Sequence, residues 1–445
     1  MAQEAGFGSG ICWSVIVGHV HIIGGGLAGL SAAIELAPQA QVTIYEAGPA
    51  CGGRARSFYD RVLETTIDNG NHMLLSANAL TFRYLDLTGA RGTLKGPGKP
   101  IFPWYDLDDG LGWCLRLSKG KIPFWLFNRR ARVPGMALKE VFVLNRLMKA
   151  GPDQTVAECL DDGEFTRRLL APFAISALNT DIESGSAALL GTIIKKTLAQ
   201  GGMACCPWTA KNGLSETFVT PALTYLEKFH ARVLLGTRVS SLKTEGGRLV
   251  SFMTSDGEII LEAEDSVILA VPAPVAETLL PGLKVPTAFE SIVNAHYRLP
   301  FTLKAKGSVG EAGFVGLVGG MAEWIFIHDN VLSVTVSAAN RYADYSNDSM
   351  LDLIWEEITQ ALNTVIEGVL PLATPASRLI REKRATFAAT PEQNRRRPGA
   401  ATAYGNLALA GDWTDTGLPS TIEGAIQSGL AAVSVLGFRS AFKPS

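Results

Sequence analysis

The feature that most constrains this chain is a glycine-rich turn set between a short apolar run and a helical pattern. His19 to Ile23 is apolar, Gly24-Gly25-Gly26-Leu27-Ala28-Gly29 follows, Leu27 to Leu36 is rich in alanine and leucine, and a β-branched run from Gln41 to Tyr45 ends at Glu46. Strand, turn, helix and strand in that order open a βαβ unit on a parallel sheet. In the pattern Gly24-x-Gly26-x-x-Gly29 the first glycine permits the tight turn, the second lets backbone approach a pyrophosphate, and the third allows close helix–strand packing. The helix start offers N–H donors and a positive dipole end to the anion. Glu46 lies near the ~20-residue offset expected of a carboxylate that binds ribose hydroxyls, which favours FAD or NAD(H) over a 2′-phosphorylated dinucleotide.

The residues after the second strand separate those two. Cys51-Gly52-Gly53-Arg54-Ala55-Arg56 puts two glycines and a cation where a longer dinucleotide needs a further phosphate contact, so Gly53 and Arg54 join the expected cofactor site. No second GxGxxG sits on a strand–helix unit, since Gly307 to Gly313 has the wrong spacing, and a built-in nicotinamide site is not expected. Forty basic against forty-two acidic residues give a net charge of -2, which supplies no field for nucleic acid. At 47% hydrophobic and 18% charged the chain is globular rather than disordered. Its six cysteines, Cys12, Cys51, Cys114, Cys159, Cys205 and Cys206, form no CxxC pair and no metal-ligand spacing, so reduced thiols and no metal are expected. Adjacent Cys205 and Cys206 are expected to be packed rather than paired. Ile11 to Leu36 is long and apolar enough to suggest a membrane span, but its glycine centre suits a turn, and Met1 to Gly10 lacks the basic start of a signal peptide. A cytoplasmic protein is expected.

Two textures alternate along the chain. Segments 19–95, 203–275 and 400–440 carry the strand and turn signals of the cofactor domain, including a hairpin at Gly246-Gly247, the run Ser266 to Ala270, the strand Leu407 to Ala410 and a closing helix within Ser420 to Leu436. Segments 96–202 and 276–399 make up a second, substrate-binding domain. The first of these is read as mostly helical, and the second contains an amphipathic helix from Asn347 to Leu362 capped by Asn347 or Asp348.

GGGLAGLSAA at Gly24 and YEAGPACGGRARSF at Tyr45 resemble the FAD-binding fold shared by amine oxidases and carotenoid desaturases. Gly411-Asp412-Trp413-Thr414 and Gly417 to Ala425 look like that fold's C-terminal flavin signature. The resemblance implies an α/β architecture: a Rossmann-like FAD-binding domain of the amine oxidase and glutathione reductase type, interleaved with a mixed α+β substrate domain. It also implies that Gly411, Asp412 and Glu423 belong to the flavin site, that Asp412 contacts the phosphate–ribityl region, and that Val239 meets the adenine through its backbone. Within the superfamily, DNGNHMLL from Asp68, KRATFAATPEQ from Lys383 and GDWTDTGLPSTIEGAIQSG from Gly411 are similar to the hydroxysqualene dehydroxylases, also called squalene-associated FAD-dependent desaturases. Asn212 stands where a second glycine is expected, and the first eighteen residues look like an added start.

That likeness implies reduction of hydroxysqualene, or a similar isoprenoid lipid, by reduced flavin, on the way to squalene and hopanoids, with an external electron donor it leaves unnamed. Loss of an allylic hydroxyl needs a proton donor and a dry cavity. His72 and Asp68 are the expected catalytic pair, with Asn69 beside them; His72 is the expected acid, because an ordinary imidazole titrates at ~6.5. Asp415, Trp104, Tyr105 and Trp413 are lesser possibilities. Arg395-Arg396-Arg397 is read as a solvated loop. A long hydrocarbon product must leave into lipid, so the aromatic and basic stretch from Phe102 to Arg132 is expected to hold the protein monotopically on the inner face of the membrane. A polyene desaturase, a flavin amine oxidase and a non-enzymatic prenyl-lipid carrier are the alternatives.

Overall fold

A computed structural model describes residues 18–441 of the chain. The first layer is a parallel five-stranded sheet in the order Arg232–Leu235, Gln41–Glu46, His19–Ile23, Ser266–Leu269, Leu407–Leu409. The strands His19–Ile23, Ser266–Leu269 and Leu407–Leu409 are largely buried and read as short apolar runs, as parallel strands covered on both sides must, while Arg232–Leu235 forms a partly exposed edge. The second strand in the chain lies on one side of the first and the third layer-mate on the other, so the strand order reverses at the carboxyl end of His19–Ile23. An open α/β sheet binds its ligand at such a switch point.

The helix Leu27–Leu36 packs on this sheet with nine of its ten residues buried. Against it lies the closing helix Ile422–Val435, so close that a Cβ on Gly429 would sit 2.3 Å from the Ala28 carbonyl oxygen. Ser31 Oγ donates to the Ile426 carbonyl at 3.1 Å across the contact. These two helices are therefore held tightly together, which brings the glycine turn and the Gly411 segment to one place. The hairpin at Gly246-Gly247 forms as read, joining Val239–Glu245 to Arg248–Thr254.

The second layer is a seven-stranded sheet in the order Ala376–Phe387, Phe289–Arg298, Val331–Val336, Trp324–His328, Phe314–Val318, Ile101–Asp106, Leu111–Arg116. Alternation sorts its faces. Val293, Ala295, Tyr297, Val334 and Val336 pack against the helix Asn347–Leu362, while Asn294 and Thr335 face a large cavity. That helix has the bounds read from its periodicity, but its cap is Ser346, whose side chain accepts from the Ser349 N–H. Strands of the two sheets come from alternating stretches of chain, so the architecture is interleaved.

The stretch 96–202 departs from the helical reading. It begins with the hairpin Ile101–Asp106 and Leu111–Arg116, which widens the seven-stranded sheet, before short helices such as Val143–Met148, Ala171–Leu178 and Ala187–Lys196. Aromatics at alternate positions marked those strands, and Pro103 obscured them, because a proline cannot donate to a ladder. Cys51, Cys114, Cys159, Cys205 and Cys206 are all free thiols, with Cys205 and Cys206 both buried. Cys12 and most of the eighteen-residue start lie outside the described residues.

Candidate cofactor and substrate site

Between the two layers lies a cavity of about 1520 Å³. It exceeds the ~300–1,000 Å³ of ordinary small-molecule sites and has room for more than one ligand. One arm runs over the glycine turn. Here the three glycines separate cleanly by what a side chain would meet. A Cβ on Gly24 would stand 2.3 Å from the Ala270 carbonyl oxygen, and one on Gly29 2.0 Å from the Gly24 carbonyl oxygen, so both positions are closed by backbone. A Cβ on Gly26 would meet nothing within 4 Å, and Gly26 lines the cavity at the start of the helix Leu27–Leu36. Gly26 therefore leaves space for a ligand, not for the protein.

Glu46 sits at the edge of this arm, accepting from the N–H groups of Gly25 and Gly48 at 2.7 Å each. Gly53 takes a positive φ of 58° and, with Val239, lines the same arm. Arg54 reaches across to Asp412 Oδ1 at 2.6 Å and also donates to the Ala385 carbonyl. The guanidinium thus ties the first cofactor segment to the last. Gly411 is fixed by its N–H bond to Ser428 Oγ at 2.8 Å, and a Cβ there would collide with the Trp413 ring. The helix Ile422–Val435 begins at Thr421, whose Oγ accepts from Gly424 N–H, and it presents Leu418, Ser420 and Thr421 to the cavity. Ser420 Oγ is buried and has no hydrogen-bond partner among the described residues. An open glycine cradle, a helix start and an orphaned hydroxyl along one groove fit an elongated phosphate-bearing cofactor.

Glu423 lines the cavity, as the resemblance implied, and also braces its wall. Its carboxylate accepts from the N–H groups of Leu80 and Thr81 at 3.1 and 2.8 Å and from Thr81 Oγ1 at 2.6 Å. It caps the start of the helix Ala79–Leu87 and so holds the cavity wall. Arg397 corrects the reading of its basic run as a solvated loop. It is buried, donates to the carbonyls of Asp412 and Thr414 and to Thr416 Oγ1, and lies 4.8 Å over the Phe387 ring. Burial pulls its pKa down to about 10. Arg395 pairs with Asp153, and Arg396 donates to the Val285 carbonyl.

The expected catalytic pair also separates. Asp68 is not on the cavity wall: it accepts from Ser57 Oγ at 2.6 Å and from the Leu214 N–H at 2.8 Å, stitching the strand Thr65–Asp68 to the turn at Gly213. His72 does line the cavity, but burial, and then the Arg54 cation, push its pKa down to about 4. That shift favours the neutral imidazole. Trp104 and Trp413 line the cavity, whereas Tyr105 and Asp415 do not.

A polar cluster absent from the sequence reading occupies the wall beside His72. Asn294 Oδ1 accepts from the Asn71 N–H at 3.3 Å and from Thr335 Oγ1 at 3.2 Å, and its Nδ2 donates to the Asn69 carbonyl at 3.3 Å. Backbone partners at both ends fix the orientation of that amide, and Asn71 Nδ2 in turn donates to Thr335 Oγ1 at 3.1 Å. Asn71 itself lines the cavity, and its side-chain oxygen has no hydrogen-bond partner among the described residues. Further along, Ser176 lines the wall, accepts from Trp324 Nε1 at 2.9 Å and donates to Glu323 Oε2 at 3.2 Å. Burial raises the pKa of Glu323 against the opposing pull of the Ser337 bonds and the Arg341 cation. An aromatic stretch of the wall is formed by Phe102, Trp104, Phe165, Phe173, Trp324 and Phe326, while Glu382 and Arg384 line another part. Polar residues at single positions within the apolar strands Phe289–Arg298 and Val331–Val336 were the signal that could have located the cluster.

Residues 27–436 match the family of flavin containing amine oxidoreductases. The chain is 41% identical over 413 residues to a hydroxysqualene dehydroxylase of Sinorhizobium fredii, covering 92% of this chain and 96% of that one. It is 40% identical over 420 residues to the hydroxysqualene dehydroxylase of Rhodopseudomonas palustris, covering 94% and 98%. Among solved structures, the cyclohexylamine oxidase of Brevibacterium oxydans shares the fold with a TM-score of 0.66 at 15% identity, covering 94% of this chain and 99% of that one.

Proposed function

The chain belongs to the flavin-containing amine oxidoreductases and, within them, to the hydroxysqualene dehydroxylases, and from that premise we propose that it binds FAD and reduces hydroxysqualene to squalene. The observation that carries this reading is the continuity of one cavity from the open glycine cradle to an aromatic chamber. A flavin in the first would lie next to a hydrocarbon in the second. Segments 19–95, 203–275 and 400–440 hold the cofactor in this proposal, and 96–202 with 276–399 hold the lipid. Gly26, Glu46, Gly53, Arg54, Val239 and Asp412 are assigned to the dinucleotide.

Reduced FAD supplies a hydride. The carbon–oxygen bond of the substrate breaks, a carbon–hydrogen bond forms in its place, and the departing oxygen takes a proton and leaves as water. The chain's own residues serve the second half of that balance. The Asn71 carbonyl oxygen accepts the substrate's hydroxyl proton and so orients the oxygen. Glu323 is the proton source and acts through Ser176: when the carboxyl is protonated it donates to Ser176 Oγ, which frees the serine hydroxyl to donate into the cavity. The aromatic faces of Trp104, Trp324 and Phe326 stabilise positive charge developing at the allylic carbon, and their bulk keeps water away from it. Neutral His72 contributes a hydrogen bond, not the proton.

Denaturing the purified protein and identifying the released flavin tests the cofactor; FMN or no flavin refutes that assignment. Incubating the chemically reduced protein with hydroxysqualene and extracting the lipids tests the reaction. Squalene is the expected product, and unaltered hydroxysqualene beside a reducible bound flavin refutes it.

A further inference from the structure

We propose that the surface built by residues 117–142 together with Met203 docks on an anionic bilayer, and that the cavity opens into the lipid through that surface. The inference deepens the reading of the cavity as an isoprenoid site and rests on it.

The cavity wall continues from Trp104 and Phe165 to Leu117, Trp125 and Leu198, and reaches the surface at Lys195, Lys196 and Gln200. Around that end stand large apolar side chains in the open: Ile122 is 62% exposed, Phe124 63%, Phe127 74% and Phe142 70%. Met203 joins the same rim, because the N–H groups of Gly202 and Met203 bond to the carbonyls of Ser118 and Lys119 at 3.0 and 3.1 Å. Monomeric soluble proteins rarely gather exposed apolar groups in one patch without a partner for them.

These side chains are held outward by a rigid base. In the single turn Phe124–Phe127, Leu126 is buried, Trp125 lines the cavity, and Phe124 and Phe127 point to solvent. Trp125 N–H bonds to Ser118 Oγ at 2.8 Å, and Arg132 Nη1 bonds to the Leu126 carbonyl at 3.0 Å. One short turn therefore connects core, cavity and exposed surface.

The charge around the patch names the partner. Between residues 116 and 149 there are nine arginines and lysines and one acidic residue, in a chain whose net charge is -2. That acid, Glu140, is spent on the N–H groups of Ala137 and Phe165 at 2.7 and 2.8 Å. Lys119, Lys121, Arg129 and Arg130 are exposed and, among the described residues, form no ion pair. Lys195 and Lys196 add two more cations at the opening. Two copies of the chain meeting here would oppose like charges. A leaflet of anionic lipids supplies both acyl chains for the phenylalanines and counter-charge for the cations.

The test is flotation of the full-length, flavin-bound protein with vesicles of phosphatidylcholine alone or mixed with phosphatidylglycerol, in the absence of hydroxysqualene. Two variants accompany it: Phe124→Ser/Phe127→Ser/Phe142→Ser and Lys121→Glu/Arg129→Glu/Arg130→Glu. The wild type is expected to float with the anionic vesicles and to be released by salt. The charge variant is expected to lose roughly fivefold in partition for each cation removed, and the phenylalanine variant to float poorly with both vesicles. Flavin content and melting temperature report that both variants are folded. Both are also expected to be slow on substrate embedded in vesicles and normal on detergent-dispersed substrate. Wild-type protein that remains soluble with anionic vesicles overturns the proposal, and so do folded variants that float like the wild type. Variants that change the molecular mass of the protein in solution while leaving flotation unchanged assign the patch to a second copy instead and overturn it too. Because binding is measured without substrate, a protein that floats as expected but makes no squalene refutes the reaction and leaves the docking surface standing.

Discussion

Replacing each glycine of the turn by alanine separates binding from folding at neighbouring positions. At Gly26 the backbone has φ -73° and ψ 178°, which alanine adopts freely, and the new methyl meets no atom within 4 Å. Loss of chain entropy in the unfolded state stabilises such a variant by ~0.4–1 kcal/mol, and the poorer capping of a helix by alanine than by glycine costs a comparable ~0.5–1 kcal/mol. The stability of Gly26→Ala without cofactor is therefore expected to match the wild type within about 1 kcal/mol. The methyl stands in the groove, however, and holds a phosphate off the helix start. Each charged hydrogen bond lost there is worth ~1.5–3 kcal/mol, or roughly 10- to 100-fold in flavin affinity. Gly29→Ala behaves in the opposite way. Its methyl would lie 2.0 Å from a carbonyl oxygen, and overpacking costs ~1–3 kcal/mol or more before any ligand is present. The assay is a thermal melt of each flavin-stripped variant followed by fluorescence titration with FAD. Normal FAD affinity in Gly26→Ala, or an equal loss of stability in both variants, would falsify the division of roles.

Three further outcomes follow from the same geometry. Glu423→Ala removes three hydrogen bonds that hold the start of the helix Ala79–Leu87, so the melting temperature falls by an amount worth ~2–4 kcal/mol; a variant as stable as the wild type contradicts the capping role. Glu323→Gln keeps an amide in place of the carboxyl but cannot release a proton, and the rate of squalene formation should drop ~100- to 10,000-fold while flavin content stays the same. Because the protonated acid is the active form, the wild-type rate should fall as pH rises through its raised pKa, and the glutamine variant should lose that limb; a flat wild-type profile there, or a full rate in the variant, removes Glu323 from the proton path. His21, His296 and His328 are each pushed from 6.5 down to about 4 by burial, so the folded protein resists protons that the unfolded chain accepts. Stability contributed by these neutral rings is complete above pH ~6.5 and is lost as pH falls toward 4, at about 3 kcal/mol for a fully buried ring. Urea melts between pH 7 and 5 that show no loss count against this.

The cofactor half of the molecule was legible because its requirements are local. A tight turn packed against its own backbone at Gly24 and Gly29 and left open at Gly26 needs glycine at those positions, and the three fall within six residues; Glu46 follows one strand later. The polar cluster on the opposite wall was not, because its residues acquire meaning only when distant strands meet. Asn71 and Asn294 are more than two hundred positions apart and touch where a loop meets the face of a sheet. Asp68, His72 and Glu423 sit inside recognisable motifs, yet nothing local says which way a side chain turns. Asp68 turned into the protein, whereas His72 and Glu423 line the cavity. Arg397 illustrates the same limit: three consecutive arginines resemble a solvated loop, and only the packing around Phe387 shows that one of them is buried under the flavin segment.

The proposed dehydroxylation is tested most directly by an anaerobic single turnover. The protein's flavin is photoreduced, hydroxysqualene is added, and visible flavin absorbance is followed while lipids are withdrawn for mass spectrometry. Oxidised flavin is expected to return in step with squalene, in equal amount and with no other lipid product. A flavin that stays reduced beside intact hydroxysqualene, in a protein whose oxidised form dehydrogenates a polyene or an amine, would contradict it.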